Sequence, residues 1–259
     1  MMRYPLIHII LLAVSIVFLL LGIVASFWFI VMAFWLAISL TILVWGSSSI
    51  CSGMYLNVLC SANTKKKQIS ITFDDGPHPE LTPAIMDILK QHDIKAVFFI
   101  KGRDAAENTD ILKRMDEEGH IIANHSWSHS HWFDFFPFLR VKQELDNTNL
   151  VINNITGKTP LLFRPPYGVT NPPLGKAVKM LKMITIGWSI RSMDTLKRDP
   201  GKIVDRIKQR IAPGKIVLLH DNQPQAEEIL GRIIDAIKEK GYKIVPLDQL
   251  LNIKAYGNN

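Results

Sequence analysis

The chain has 259 residues, enough for one large domain or two small ones, and its 30 lysines and arginines against 23 aspartates and glutamates give a formal net charge of +7. The basic residues are scattered among acidic ones, so the charge suits an anionic surface or substrate and excludes a nucleic-acid partner. Two cysteines are too few for a disulfide framework or a cysteine metal site, and they leave the redox compartment open.

The N-terminal quarter of the chain is apolar and uncharged. Between Tyr4 and Thr64 the sequence contains no lysine, arginine, aspartate or glutamate. Because a bilayer crossing takes about 20 apolar residues, this run is long enough for two spans, which we place at 6–23 and 27–45. A cleaved signal peptide has an apolar core of only ~7–15 residues, so we instead predict a two-helix transmembrane hairpin with its linker over residues 1–64.

A two-span hairpin returns both ends of the chain to the same side of the membrane. The lysines at 65–67 favour the cytoplasmic side by the positive-inside rule. They lie about 20 residues past the second span, at the limit of that rule's reach. We therefore predict a membrane localisation, with the bilayer as a partner of the anchor, and leave the side of the remaining chain undecided.

The rest of the chain, residues 65–259, alternates between apolar runs and helical stretches. Runs rich in β-branched and aromatic residues predict seven strands, at 69–73, 96–100, 121–123, 161–163, 184–187, 216–219 and 243–245. Helices are predicted between them, at 84–91, 104–118, 140–155, 176–182, 201–211 and 226–240. Thr82 followed by Pro83 is typical of a helix N-cap and first turn. This alternation predicts one α/β domain with a parallel sheet, as an open doubly wound sheet or as a barrel.

Polar residues interrupt the apolar runs where the predicted strands end. They are Asp74, Asp75, His125, His129, Arg164, the stretch 188–194, His220 and Asp221. In a barrel of parallel strands all of these positions lie at the C-terminal rim, where such folds carry their active sites. We therefore expect one shared site at this rim.

Two histidines and an aspartate at this rim predict a metal site. His125 and His129 are four residues apart, so on one helical turn they would share a face. The same spacing is typical of two surface histidines, but a carboxylate from another strand end completes a three-ligand set with open positions. Such a set fits catalytic zinc and non-haem iron.

The adjacent carboxylates Asp74 and Asp75 can hold separate roles, because neighbouring strand residues point in different directions. One can bind the metal and the other can accept a proton from water, whose pKa a metal lowers toward ~7. The alternative for this pair is a solvated turn before Gly76. Arg164 is placed to hold the base carboxylate ionised, and His220 is either a general acid or a core histidine.

Four motifs together resemble the polysaccharide deacetylase family, the NodB-homology carbohydrate esterases. They are TFDDG at 72–76, HSWSH at 125–129, RPPYG at 164–168 and LLHD at 218–221. The resemblance covers about residues 67–251 and suggests a membrane-anchored bacterial member with a catalytic domain at 65–259. It implies a distorted (β/α)7 barrel after the hairpin. It also implies a hydrolase that removes N-acetyl groups from amino sugars with a divalent metal ion, Zn²⁺ or alternatively Co²⁺, Fe²⁺ or Mn²⁺.

The resemblance implies roles for the residues that match its motifs. Asp75, His125 and His129 would bind the metal, Asp74 would be the general base, and Arg164 would position Asp74.

Further roles follow from the other motif residues. The backbone N–H of Tyr167 would stabilise the oxyanion, and His220 would protonate the leaving amine. The implied substrate-binding residues are Leu218, which would line the acetyl pocket, Trp188, Arg191 and Pro165.

One segment departs from the family pattern. Arg191 stands where the family carries an acid, and Thr195 stands where it carries a tryptophan. An arginine close to His220 would disfavour its protonated form. We therefore predict that Asp194 contacts His220 in place of the missing acid, and that Arg191 faces a phosphate or carboxylate of the substrate.

Three functions remain open at this point. The first is removal of N-acetyl or related N-acyl groups from an amino-sugar glycan. The second is deformylation or deacetylation of a lipid-linked sugar at the membrane, and the third is a noncatalytic sugar-binding protein, which Arg191 suggests. Bound metal, measured together with released acetate or formate, separates them.

Overall fold

The computed structural model describes residues 4–22, 26–196 and 199–257. It begins with two apolar helices, α1 (Tyr4–Gly22) and α2 (Ser26–Ser48). They lie against each other, and the indole Nε1 of Trp35 donates a hydrogen bond to Ser15 Oγ at 3.1 Å. Among the described residues, one helical stretch, Trp28–Ser48, is long and apolar enough to cross a membrane, whereas the apolar part of α1, Pro5–Leu20, is shorter.

The predicted two-span anchor is therefore supported for its second span only. The end predicted for the first span, at residue 23, lies outside the described residues. The side chains of both helices are largely exposed and apolar, among them Leu12, Ile30 and Leu40. Helices with apolar side chains all round suit a lipid environment.

A curled sheet of parallel strands forms the centre of the remaining chain. Its strands are β1 (Val58–Leu59), β2 (Gln68–Gly76), β3 (Val97–Ile100), β4 (Ile121–Asn124), β5 (Leu162–Phe163), β6 (Ile184–Ile186), β7 (Ile190–Arg191), β8 (Ile216–His220) and β9 (Lys243–Ile244). The order across the sheet is β1-β6-β5-β4-β3-β2-β8-β7, and β9 pairs with β2. All of these pairings are parallel, which agrees with the predicted α/β class and is consistent with a distorted (β/α)7 barrel.

Helices connect the strands and cover the outside of the sheet. They are α3 (Leu81–Gln91), α4 (Gly102–Glu107), α5 (Thr109–Glu117), α6 (Phe138–Thr156), α7 (Pro172–Met180), α8 (Pro200–Lys208), α9 (Ala226–Glu239) and α10 (Leu247–Leu251). The sequence predicts one helix over 104–118, but the structure divides it at Asn108, whose backbone is not helical. The side-chain Nδ2 of Asn108 donates to the carbonyl of Asp104 at 2.8 Å.

The alternation of β2 places its polar side chains inside the sheet. Ile71 and Phe73 belong to the large cluster that packs against the outer helices. Thr72 and Asp74, on the opposite face, are both buried. Because successive strand residues point to opposite faces, this strand delivers Asp74 into the interior at its carboxyl end.

The segment between α2 and β2 belongs to the sheet and its core. Strand β1 pairs with β6, and Met54, Tyr55 and Leu56 are buried beside it. Cys51 and Cys60 form a disulfide with their Cα atoms 6.2 Å apart. The sequence predicted no disulfide framework, and this single disulfide was not predicted.

Candidate active site

A β-bulge at the end of β2 turns both aspartates toward one cavity. In the register with β3, Asp74 pairs with Phe99 and Gly76 pairs with Ile100, so Asp75 is the extra residue. Its φ is 74°, in the left-handed region. An unbroken strand would point these neighbouring side chains to opposite faces, and the bulge removes that separation.

Arg164 lies fully buried behind Asp74. Its Nη1 donates to Asp74 Oδ1 at 2.6 Å and to Thr72 Oγ1 at 2.8 Å. Nε and Nη2 donate to the carbonyl oxygens of Ile186 at 3.2 Å and Gly187 at 2.9 Å. Burial lowers the pKa of Arg164 and Asp74 opposes that effect, but a guanidinium stays charged in proteins. The arginine therefore holds the Asp74 carboxyl group in one orientation.

Asp75, His125 and His129 form a compact cluster beside this pair. Asp75 Oδ1 lies 3.6 Å from His125 Nε2 and 3.3 Å from His129 Nε2. One ligand atom of each residue lies within 4.8 Å of the other two. The structure thus brings together the three residues that the sequence indicated as metal ligands.

The backbone of this histidine pair differs from the predicted helical turn. Residues 125–129 form a loop after β4, and both Ser126 and His129 have positive φ angles. Asn124 Oδ1 accepts the N–H of Ser126 at 2.9 Å, and Glu144 Oε2 accepts the N–H of Ser128 at 2.8 Å. These side-chain acceptors compete with helical hydrogen bonds, and the loop still directs both imidazoles to the same carboxylate.

The protonation states of the cluster suit a divalent cation. His125 Nδ1 lies 2.8 Å from the Arg164 carbonyl oxygen, so Nδ1–H donates and Nε2 keeps its lone pair for the cavity. Burial lowers the pKa of His129 to about 4, and His125 adds to that effect. Burial raises the pKa of Asp75, but the attraction of His125 and then His129 outweighs it and lowers the pKa.

At neutral pH the cluster therefore offers the carboxylate of Asp75 and the neutral imidazole of His129, forms that bind metals. Asp75 Oδ1 is buried and has no hydrogen-bond partner among the described residues. A buried carboxylate oxygen without a partner is costly, and a cation would relieve that cost. These residues fit a divalent metal ion, and their chemistry is compatible with Zn²⁺ and with its transition-metal alternatives.

Asp194 lies against His220, which also lines the cavity. Its Oδ1 is 2.8 Å from His220 Nδ1, and its Oδ2 accepts the His220 backbone N–H at 2.8 Å. Burial lowers the pKa of His220, but the hydrogen bond and charge of Asp194 raise it to about 9. The contact predicted between these two residues is present in the structure.

The remaining predicted residues line one cavity of about 220 Å³ together with the metal cluster. Those in its wall are Leu218, Trp188, Arg191, Pro165, Tyr167, Gly168 and Thr195. The Arg191 guanidinium lies 5.7 Å from the centre of the Trp188 ring and is exposed. Tyr167 has a φ of 58°, which shapes the turn that carries its backbone N–H.

The sequence analysis did not assign a role to Asp221, which is fully buried below the bulge. Thr82 Oγ1 donates to Asp221 Oδ2 at 2.6 Å and accepts the His78 N–H at 2.8 Å. Burial raises the pKa of Asp221 to about 7. A Cβ atom at Gly76 would clash with this carboxyl, which explains the glycine after the aspartates.

The helix N-cap predicted at Thr82 was wrong. Helix α3 begins at Leu81, so Thr82 lies inside the helix.

The polysaccharide deacetylase family matches residues 61–186 of the chain. The peptidoglycan-N-acetylglucosamine deacetylase PgdA of Listeria monocytogenes is 32% identical over 188 residues, covering 73% of this chain and 40% of PgdA. The peptidoglycan-N-acetylmuramic acid deacetylase PdaA of Bacillus subtilis is 35% identical over 199 residues, covering 73% of each chain.

Among solved structures, the crystal structure of the Bc1960 peptidoglycan N-acetylglucosamine deacetylase superposes with a TM-score of 0.72 at 30% identity. The match covers 76% of this chain and 94% of that one. The chain belongs to the polysaccharide deacetylase family, and it spans about 40% of the length of PgdA.

Proposed function

We propose that this protein is a metal-dependent hydrolase that removes N-acetyl groups from the amino sugars of peptidoglycan or a related glycan. The observation that carries this proposal is one cavity lined by the metal-binding cluster and by one member of each of two buried pairs. Asp74 in this cavity is held by Arg164, and His220 is held by Asp194. Amide hydrolysis needs a base and an acid within reach of the bond that breaks, and Asp74 and His220 can supply them.

The chain's own residues would divide the reaction as follows. A divalent metal held by Asp75, His125 and His129 would polarise the acetyl carbonyl and lower the pKa of water. Asp74, held in place by Arg164, would accept the proton of the attacking water.

Three further residues that line the cavity would complete the reaction. His220, protonated up to about pH 9, would donate a proton to the amine nitrogen as the C–N bond breaks. Leu218 would contact the acetyl methyl group, and the Tyr167 N–H would donate to the oxyanion. The products are acetate and a free amino sugar.

Arg191 supports a narrower substrate class, an amino sugar that carries an acid. Its guanidinium is exposed in the cavity wall beside Trp188, and its planar fork suits a carboxylate or phosphate. PdaA, a relative, is named for N-acetylmuramic acid, a sugar of this class. Arg191→Ala should lower kcat/KM for muramic-acid oligosaccharides and spare N-acetylglucosamine oligomers. Arg103→Ala, at an exposed arginine of α4, should change neither.

The disulfide supports a location in an oxidising compartment, with the domain on the outer face of a bacterial inner membrane. Cys51 and Cys60 follow α2, the helix that can span a membrane, so they lie on the same side as the domain. We give the disulfide more weight than the cytoplasmic side indicated by the lysines at 65–67, because these lysines lead directly into β2. A thiol-reactive polymer added to denatured protein from cells should label neither cysteine before reduction. Labelling without reduction would place the domain in the cytoplasm, where a lipid-linked sugar precursor becomes the better substrate.

The proposed reaction is tested by acetate release from acetylated amino-sugar oligosaccharides. The wild-type chain should release acetate and an equal amount of free amine, whereas His220→Ala should release neither. His92 contacts Lys238 and does not line the cavity, so His92→Ala should retain full activity. Formate release with formylated substrates alone would instead favour a deformylase. Metal binding without release of any acyl group would favour a noncatalytic sugar-binding protein.

A further inference from the structure

Three apolar side chains project into solvent from the segment after the metal-binding loop and from the first turn of α6. Trp132, Phe135 and Leu139 are 69%, 79% and 73% exposed, and we call them the aromatic ridge. The rings of Trp132 and Phe135 lie 6.0 Å apart. Large apolar side chains clustered on a protein surface indicate a site that contacts another protein or a membrane.

The ridge is continuous with the apolar helices at the start of the chain. Phe133 and Phe136 alternate with ridge residues in sequence, but they point inward and join the cluster that contains Tyr55. Ile7 of α1 and Ile42 of α2 pack against the same cluster. The ridge therefore lies beside the end of the helix pair from which the domain continues.

A backbone hydrogen bond also fixes the domain to α2. The N–H of Thr170 donates to the carbonyl oxygen of Ser47, in the last turn of α2, at 2.9 Å. Thr170 follows the RPPYG turn, so the catalytic rim and the helix end are held together. If α2 spans a bilayer as proposed, this side of the domain lies at the membrane surface.

The composition around the ridge is that of a membrane interface. Tryptophan and phenylalanine are favoured at the boundary between headgroups and acyl chains, with basic residues beside them. The Arg140 guanidinium lies 3.7 Å from the centre of the Phe136 ring, and Lys176 Nζ lies 4.4 Å from that of Phe138. Their charges can reach lipid phosphates while their stems cover apolar rings.

The ridge also adjoins the catalytic cavity. His131 precedes Trp132, and its Nδ1 lies 3.1 Å from the hydroxyl of Tyr167. That hydroxyl donates to the His129 carbonyl oxygen at 3.3 Å, and Tyr167 lines the cavity. The ridge and the cavity rim are thus connected through His131 and Tyr167.

We propose that Trp132, Phe135 and Leu139 insert into the bilayer interface beside the anchor and hold the catalytic rim at the membrane surface. This inference rests on the proposed membrane anchor. Its functional consequence is a preference for acetylated glycan that lies close to the membrane over glycan free in solution. The partner is the lipid bilayer itself.

The test uses the full chain in lipid nanodiscs, with a fluorophore on a single introduced cysteine. The native cysteines are paired with each other, so the new thiol is the one that reacts. Phe135→Cys reports on the ridge, Leu36→Cys on the middle of α2, and Leu150→Cys is the control. Leu150 lies on α6 and is also exposed, at 59%.

Lipids with quenchers near the headgroup should quench the label at 135, whereas the label at 150 should stay unquenched. Deep quenchers should quench the label at 36. Equal, weak quenching at 135 and 150 with strong quenching at 36 overturns the ridge proposal and leaves the anchor intact. Absence of quenching at 36 contradicts the anchor itself. If the label at 135 is shielded from solvent but is not quenched by the lipids, and the chain forms dimers, the ridge contacts a second copy of the chain. This result would also overturn the proposal.

A kinetic comparison provides a second test. The triple change Trp132→Ser, Phe135→Ser and Leu139→Ser should lower kcat/KM roughly tenfold for an acetylated glycan anchored to the nanodisc, because the anchored chain no longer holds its catalytic rim at the membrane surface, close to that substrate. It should leave kcat/KM unchanged for a soluble acetylated oligosaccharide. Leu150→Ser should change neither value. An equal loss on both substrates would show damage to the fold and contradict the proposal.

Discussion

Asp194 accepts two hydrogen bonds from His220, one from the imidazole Nδ1 and one from the backbone N–H, each at 2.8 Å. Its Oδ1 also accepts from Ser192 Oγ at 2.7 Å, which fixes the carboxylate. Among the described residues, Arg191 forms no hydrogen bond or ion pair with His220, and its guanidinium lies over Trp188. Asp194, three residues after Arg191, is thus the acid that His220 contacts.

Removal of this carboxylate should weaken the proposed catalytic acid. The pKa of His220 is raised to about 9 in the native protein, so the protonated acid persists up to about pH 9. In Asp194→Asn that pKa should fall toward its ordinary ~6.5, because burial is then opposed only by the charges of Asp74 and Asp75. The basic limb of the kcat/KM profile should move to lower pH, with about a ten- to hundredfold loss at pH 8.

Two other variants serve as controls for this pH profile. Asp199→Asn removes an acid that caps α8 and should leave the basic limb in place. Arg191→Ala should leave that limb in place or move it up. An unchanged rate and profile in Asp194→Asn, with His220→Ala inactive, would refute the pairing.

The two adjacent aspartates should separate metal binding from turnover. Asp74→Asn keeps the metal cluster and should retain metal while kcat falls at least ~100-fold. Asp75→Ala removes a ligand, and metal affinity should fall by more than the ~10–100-fold that loss of an outer-shell partner costs. Metal content by mass spectrometry and acetate release measure the two effects. Similar metal loss in both variants would show that the division of roles is wrong.

Arg164 should be essential for stability as well as for activity. Arg164→Ala leaves Asp74 buried without its partner, which typically costs about 3–5 kcal/mol of the free energy of unfolding. Arg164→Lys keeps a charge but cannot make all four hydrogen bonds of the guanidinium, so it should recover only part of that loss. Thermal unfolding measures the change, with Arg103→Ala as the exposed control. A Tm for Arg164→Ala equal to that of the control would contradict this view of the buried pair.

Truncation tests where the catalytic domain begins. The sequence analysis placed the boundary at 64/65, but we propose that the domain starts just after Ser48, because β1, the disulfide and buried Tyr55 lie between these points. Deletion of 1–48 should give a soluble, folded domain. Deletion of 1–64 also removes residues 49–64 and exposes the core surface that they cover. Each large apolar side chain exposed in this way costs about 1.5–3 kcal/mol of the free energy of unfolding, so this truncation should give aggregated protein. Equal solubility and Tm of the two truncations would restore the original boundary.

The strands and the rim of the site could be predicted because both depend on local patterns. Apolar runs such as that of β8 identify buried strands, and His220 at its end identifies the rim. Strand β7 was missed because its one apolar residue, Ile190, lies between Ser189 and Arg191, and β1 was missed because Val58 and Leu59 lie in a segment that the sequence assigned to the linker. The predicted helical turn at His125 and His129 was wrong, because the acceptors that hold this loop, such as Glu144, are distant in sequence.

The features that complete the site depend on contacts between distant segments. The bulge at Asp75 arises from its register with β3, which no local pattern encodes. The buried carboxyl of Asp221 has a partner, Thr82, that is 139 residues away. The aspartate after His220 was a visible signal, but without the fold nothing connected it to Thr82.

The central claim is that one metal ion in the Asp75, His125 and His129 cluster supports deacetylation by the surrounding residues. The most direct measurement is acetate release by the full chain before metal removal, after removal with a chelator, and after addition of Zn²⁺ or Co²⁺, with bound metal quantified in each state. We expect about one metal ion per chain, loss of acetate release with the metal, and recovery with its return. Acetate release that persists after the metal is gone would contradict the account.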